Sequence, residues 1–296
     1  MKRRALLASG LLGAFAARAL AAEPKRLQSA ELSLIELSLP GDPAFGRALL
    51  ALPLQSSPAP ELLVLLHGLG ETTDPELGAH AFAERYGLLS AVQRLTHPPI
   101  ARQNLQRDYF GPGRLAELNA RLEQRPYRAP ILVCPFTPNP YRTGGAELLL
   151  RFARFVCGPL KSAVEARAGV AFPSSRFMIS GVSLGGYLAI EIFLKSPELF
   201  GGLGTVQAAF KPNQAARYAS AVAQATERVG PRRVEILTSS YDPYRPANEL
   251  FHRHLLEQKQ ASRLRVSPGP HDQGWLNESG TLEMLLAADD VFTESR

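Results

Sequence analysis

Residues 176–190, RFMISGVSLGGYLAI, constrain this chain more than any other stretch. They open with Phe177-Met178-Ile179, an apolar run of the kind that forms a strand buried on both faces. The chain then passes through Gly181-Val182-Ser183-Leu184-Gly185-Gly186 and continues as a helix-like run through Leu188, Ala189 and Ile192. The order is strand, sharp turn, helix, with a serine at the apex and glycines two residues to either side. That spacing has a steric cause. A serine forced into strained dihedrals between a strand and a helix leaves no room for side chains at the flanking positions, so Gly181 and Gly185 are small. The turn lifts the Ser183 hydroxyl clear of the sheet and aims a helix N-terminus at any oxyanion formed there. Ser183 is the candidate nucleophile. It requires an acid, a histidine and a second oxyanion donor from elsewhere in the chain.

Other apolar runs supply the sheet in which such a turn could sit. Residues 62–66, LLVLL, and 131–134, ILVC, read as buried parallel strands, as do 201–206 and 233–238. Residues 27–39 and 47–54 alternate more loosely around the turn Pro40-Gly41-Asp42-Pro43 and read as an antiparallel hairpin. A last strand is expected at 263–266. Helices are expected at 82–95, 115–122, 146–168, 214–228 and 248–260. Strands alternating with helices give an α/β architecture with a mostly parallel sheet covered on both faces. The interval between the strands at 201–206 and 233–238 holds about one helix, which leaves no room for a large cap domain.

In such a sheet, sites gather at the carboxyl edge. The strand at 62–66 ends there in His67-Gly68-Leu69-Gly70-Glu71, a glycine-rich loop able to turn a backbone N–H toward Ser183. The N–H of Leu69, or alternatively of Gly70, is one candidate oxyanion donor, and the N–H of Leu184 is the other. His67 reads as a support for that loop rather than a proton carrier. Asp242 follows the strand at 233–238 within Ser239-Ser240-Tyr241-Asp242-Pro243, and His271 follows the strand at 263–266 within Pro268-Gly269-Pro270-His271-Asp272. The order Ser183, Asp242, His271 places nucleophile, acid and base each just beyond a strand. Asp272 is a rival acid, but its adjacency to His271 makes a side-chain hydrogen bond between them awkward. Residues 97–130 form a long arginine-, proline- and glycine-rich excursion. It is expected to border the pocket, with Tyr109-Phe110-Gly111-Pro112-Gly113 as the lining.

Composition bounds the class. The 296 residues are 45% hydrophobic and 20% charged with 24 prolines, which suits a globular, loop-bearing protein. Residues 1–21 have a basic start, an apolar middle and the small-residue end Ala19-Leu20-Ala21, the pattern of a cleavable secretory signal. They carry Lys2, Arg3, Arg4 and Arg18 and no acid, which is four of the net six positive charges. The remaining 22–296 are nearly balanced and carry no nucleic-acid footprint. No later stretch is long and apolar enough to span a bilayer. Cys134 and Cys157 lack C-x-x-C or histidine-rich surroundings, so no metal site is expected; export would permit a disulfide, and two free thiols are equally compatible.

HGLGE, GVSLGGYLA, SSYDPYRPANELFHRHLLEQ and GPHDQGW together resemble the alpha/beta-hydrolase superfamily. Within it they are similar to the esterase group that includes esterase D-like and feruloyl esterase-like enzymes. The resemblance covers nearly all of residues 22–296. It implies one hydrolase domain, cofactor-free hydrolysis of small or aromatic acyl esters through an acyl-enzyme, Ser183, Asp242 and His271 as the triad, and Leu69 and Leu184 as backbone oxyanion donors. Two features depart from the pattern: Pro270 stands where glycine is usual, and residues 97–130 follow no pattern that the resemblance places. An acyltransferase on the same scaffold and a catalytically silent binding protein are the competing functions.

Overall fold

A computed structural model of the chain describes residues 26–40, 42, 44–55, 57 and 59–294. The expected signal at 1–21 lies outside them. Nine strands form one sheet: β1 Arg26–Gln28, β2 Leu32–Ser38, β3 Arg47–Pro53, β4 Leu62–Leu66, β5 Ile131–Pro135, β6 Phe177–Gly181, β7 Gly202–Val206, β8 Arg233–Tyr241 and β9 Ser262–Pro270. Their order across the sheet is β1-β2-β3-β5-β4-β6-β7-β8-β9. The pairs from β1 to β5 through β3 are antiparallel, and every pair from β5 to β9 is parallel. The α/β expectation therefore holds, with an antiparallel wing.

The helices are α1 Pro75–Glu84, α2 Leu88–Thr96, α3 Arg114–Gln124, α4 Gly145–Phe155, α5 Lys161–Ala168, α6 Leu184–Lys195, α7 Ala215–Val229, α8 Arg245–Glu257, α9 Gln273–Trp275 and α10 Thr281–Glu294. They cover the sheet on both sides because strand side chains alternate. Leu62, Val64 and Leu66 of β4 join Phe152, Leu188 and Val222 in one core, while Leu63 and Leu65 join Phe82, Leu118 and Leu285 in the other. All five residues of β4, β5, β6 and β7 are buried, as continuous apolar runs require of a sheet covered on both faces. Between β7 and β8 lie only α7 and a short 3₁₀ turn, so no cap covers the sheet there.

Three element boundaries differ from the sequence reading. The strand expected at 27–39 is two strands folded back on each other, because Ser29 closes a tight turn by accepting the Leu32 N–H at 2.8 Å. The helix expected at 82–95 breaks at Gly87, whose φ of 72° is left-handed and whose Cα faces Asn277 so closely that a Cβ would lie 2.7 Å from its side chain. The helix expected at 146–168 passes through a π turn at Val156–Leu160 that absorbs Pro159.

No residue of the excursion at 97–130 is among those lining the cleft over Ser183, which corrects the expectation that Tyr109-Phe110-Gly111-Pro112-Gly113 line it. The excursion is pinned to the C-terminal segment by charge. Arg114 pairs with Glu283 at 2.6 Å, Arg121 and Arg125 pair with Asp289 and Asp290, and Glu278 accepts the N–H groups of Gln103 and Asn104. Tyr109 and Phe110 are only 4% exposed and pack within that core.

Candidate active site

The local sequence fixes the turn after β6. Ser183 has φ 55° and ψ −116°, a conformation non-glycine residues rarely hold. A Cβ on Gly185 would lie 2.1 Å from the Leu66 carbonyl oxygen, and one on Gly181 would lie 2.4 Å from Gly185 backbone atoms. Both glycines are required by backbone-to-backbone approach. The Ser183 N–H donates to the Val206 carbonyl at 2.8 Å and its own carbonyl accepts from Ala209 at 3.0 Å, which ties the turn to the segment after β7.

Strand pairing brings the other two side chains to it. β8 and β9 pair beyond their apolar portions, through Ser239 with Ser267 and, past a bulge, Tyr241 with Pro270. Asp242 and His271 therefore leave the sheet side by side. His271 Nδ1 lies 2.9 Å from Asp242 Oδ1, and His271 Nε2 lies 3.0 Å from Ser183 Oγ. Asp242 is 4% exposed; its Oδ2 accepts the Thr238 hydroxyl at 2.6 Å and its Oδ1 the Tyr244 N–H at 2.9 Å. The imidazole is its third partner. Asp272 is otherwise engaged: its Oδ1 caps α9 by accepting the Trp275 N–H at 2.8 Å.

Leu69 begins a 3₁₀ turn, Leu69–Glu71, and Leu184 begins α6. A first-turn N–H has no acceptor within its own helix. The Gly68 N–H donates to the Tyr86 hydroxyl at 3.2 Å. Tyr86 in turn donates to the buried Glu71, which also pairs with Arg85 at 3.3 Å. His67 holds the loop from the other side. Its Nε2 accepts the Thr137 N–H at 2.8 Å and its Nδ1 lies 2.8 Å from the Gly68 carbonyl, so that nitrogen carries the proton and the ring is neutral. Burial lowers its pKa to about 4, against a smaller opposing effect of the Gly68 carbonyl.

A cleft of about 590 Å³ opens over Ser183 and His271, with Leu69, Tyr86, Gln207 and Tyr244 among its walls. Tyr244 meets the His271 ring edge-on at 5.6 Å. Tyr109, expected in the lining, instead packs behind the histidine loop. Gly269, at φ 138°, approaches so closely that a Cβ would lie 2.8 Å from the Tyr109 ring and 2.4 Å from Trp275. The sequence reading missed Gln207 although its placement just after a buried parallel strand was a usable signal. Tyr86 offered none, since nothing in the text links it to Gly68. Cys134 and Cys157 are free thiols, and burial raises the Cys157 pKa to about 11. Among the described residues no cluster of His, Cys, Asp or Glu is arranged to hold a metal, and no helix is long and apolar enough to cross a membrane.

No family model matches the chain, and no curated protein matches it in sequence. Its architecture is nevertheless that of solved alpha/beta-hydrolase structures. A ferulic acid esterase aligns over 83% of this chain and 92% of its own, with 14% identity and a TM-score of 0.59. The feruloyl esterase module of Clostridium thermocellum, solved with sinapinate, aligns over 90% of this chain and 93% of its own, with 14% identity and a TM-score of 0.58. The S-formylglutathione hydrolase of Staphylococcus aureus aligns over 90% and 98%, with 14% identity and a TM-score of 0.54. The chain has the alpha/beta-hydrolase fold.

Proposed function

We propose that this chain is a serine carboxylic-ester hydrolase. The observation that carries the reading is the hydrogen-bonded line from Ser183 Oγ through His271 to Asp242, at 3.0 and 2.9 Å. His271 Nε2 takes the hydroxyl proton as Ser183 Oγ bonds to the ester carbonyl carbon. Asp242 holds the Nδ1–H tautomer and stabilises the imidazolium. The N–H groups of Leu69 and Leu184 receive the oxyanion, each such donor being worth roughly 3 kcal/mol. Return of the proton to the alcohol oxygen breaks the ester bond and leaves an acyl-Ser183. Water, activated by the same imidazole, then releases the acid.

The uncapped cleft and its apolar walls Leu69, Pro243, Tyr244 and Leu276 suit small or aromatic acyl groups, and the names of the structural neighbours point the same way. Residues 1–21 would direct export and be removed, which N-terminal sequencing of the secreted protein would reveal. The direct test is a fluorophosphonate label. It should attach to Ser183, and Ser183→Ala should lower turnover of p-nitrophenyl acetate by at least about 10⁴-fold. An alanine variant with wild-type turnover would end the proposal.

A further inference from the structure

Among the described residues only three non-glycine residues have positive φ, namely Ser183, Gln207 and Lys259. Two of the three belong to the cleft. The strain at Ser183 is explained by the turn it occupies. That at Gln207, with φ 48°, is not explained by any turn chemistry in GLGTVQAAF. Such a conformation is disfavoured for a side chain of this kind and persists where its surroundings over-determine it.

The surroundings of Gln207 are informative. It is fully buried. Its N–H donates to the Leu237 carbonyl at 2.7 Å, which joins the end of β7 to β8. Its side-chain Nε2 donates to Ser239 Oγ at 2.7 Å and to the Pro270 carbonyl at 3.0 Å. A carbonyl only accepts, so the amide orientation follows from chemistry. The Ser239 hydroxyl makes a second bond to the same Pro270 carbonyl at 3.1 Å. Pro270 has no N–H of its own and directly precedes His271. On either side of Gln207, Val206 and Ala209 hold the backbone of Ser183 at 2.8 and 3.0 Å, and Asn248 Nδ2 holds the Ala208 carbonyl at 3.1 Å. The segment 206–209 thus grips the nucleophile through its backbone and the histidine loop through one side chain.

We infer that Gln207 is a positioning residue whose amide sets the separation of Ser183 Oγ and His271 Nε2. The inference rests on the proposed esterase reading and adds to it the device that aligns the base. Gln207 touches the backbone carbonyl before the base and transfers no proton.

Gln207→Asn is the discriminating variant. Asparagine tolerates positive φ better than most residues, so the fold is not penalised, but its amide is one methylene short of Pro270. The expected result is a 10- to 100-fold fall in kcat on p-nitrophenyl acetate and in the fluorophosphonate labelling rate, roughly the effect of a 1 Å misplacement, with KM within about twofold and an unchanged thermal midpoint. A crystal structure of the variant should show the Ser183–His271 separation opened beyond the 3.0 Å of the wild type. Gln207→Met, which keeps length and loses the donor, should behave alike and serves if the asparagine variant does not fold. Unchanged kcat and labelling, or a loss confined to KM or matching a drop in thermal midpoint, would overturn the inference. So would an unaltered separation in the variant crystal. A wild-type protein that never labels would sink the esterase reading instead, and the crystallographic distance would then judge Gln207 alone.

Discussion

The two arms of the site are built by different means. The serine arm is a backbone device: Gly181 and Gly185 let β6 and α6 approach within 2.4 Å of where a Cβ would be, and Ser183 is carried to the apex by that closeness. The histidine arm is a side-chain device. Asp242 is held by Thr238 and the Tyr244 N–H, the Pro270 carbonyl by Gln207 and Ser239, and Gly269 is packed by Trp275 and Tyr109. The first arm is short in sequence and rigid by sterics. The second gathers residues from β7, β8 and the 97–130 excursion. A backbone device fails by unfolding, whereas a side-chain device fails by misalignment.

Several variants would break or sharpen that contrast. Asp242→Asn should cost about 10⁴-fold in kcat, because it removes the charge that selects the tautomer while leaving the fold in place; steady-state kinetics with unchanged circular dichroism is the check. Gly185→Ala belongs to the other arm and should act on stability. Its Cβ meets the Leu66 carbonyl oxygen at 2.1 Å, backbone that cannot yield, so a loss of at least about 3 kcal/mol is expected in urea denaturation. Activity lost without stability would contradict the steric account.

His67 gives a pH test of the loop that carries Leu69. Its pKa is lowered from 6.5 to about 4 by burial. Between those values the unfolded chain binds the proton and the folded protein does not, so stability falls as pH drops from 6.5 toward 4. The difference between the two values amounts to a few kcal/mol by linkage. Measured unfolding free energies should show that slope in the wild type, and His67→Gln should flatten it; parallel slopes would contradict the assignment. The smallest effect is Asp272→Ala, which removes only a helix cap and should cost about 1 kcal/mol with near-normal kcat. A collapse of kcat there would make Asp272, not Asp242, the working acid.

Much of the sheet was legible because its strands are apolar runs too short for helices, and LLVLL, ILVC and FMISG admit few other roles. The excursion was misplaced for a physical reason. Its arginines pair with Glu283, Asp289 and Asp290 in α10, a helix that had not been anticipated, so the pull away from the cleft had no visible partner. The bend at Gly87 likewise depends on Asn277, far along the chain.

The sequence by itself determined the alternation of strand and helix, the strained serine turn, and the placing of Ser183, Asp242 and His271 each just beyond a strand, since each rests on near-neighbour sterics or on hydrophobic pattern. Only the tertiary structure decided where residues 97–130 dock and that Gln207 spans from the serine segment to the histidine loop. Those outcomes depend on which strands lie adjacent and how far they pair, and β8 pairs with β9 through residues whose side chains carry no pattern that announces it.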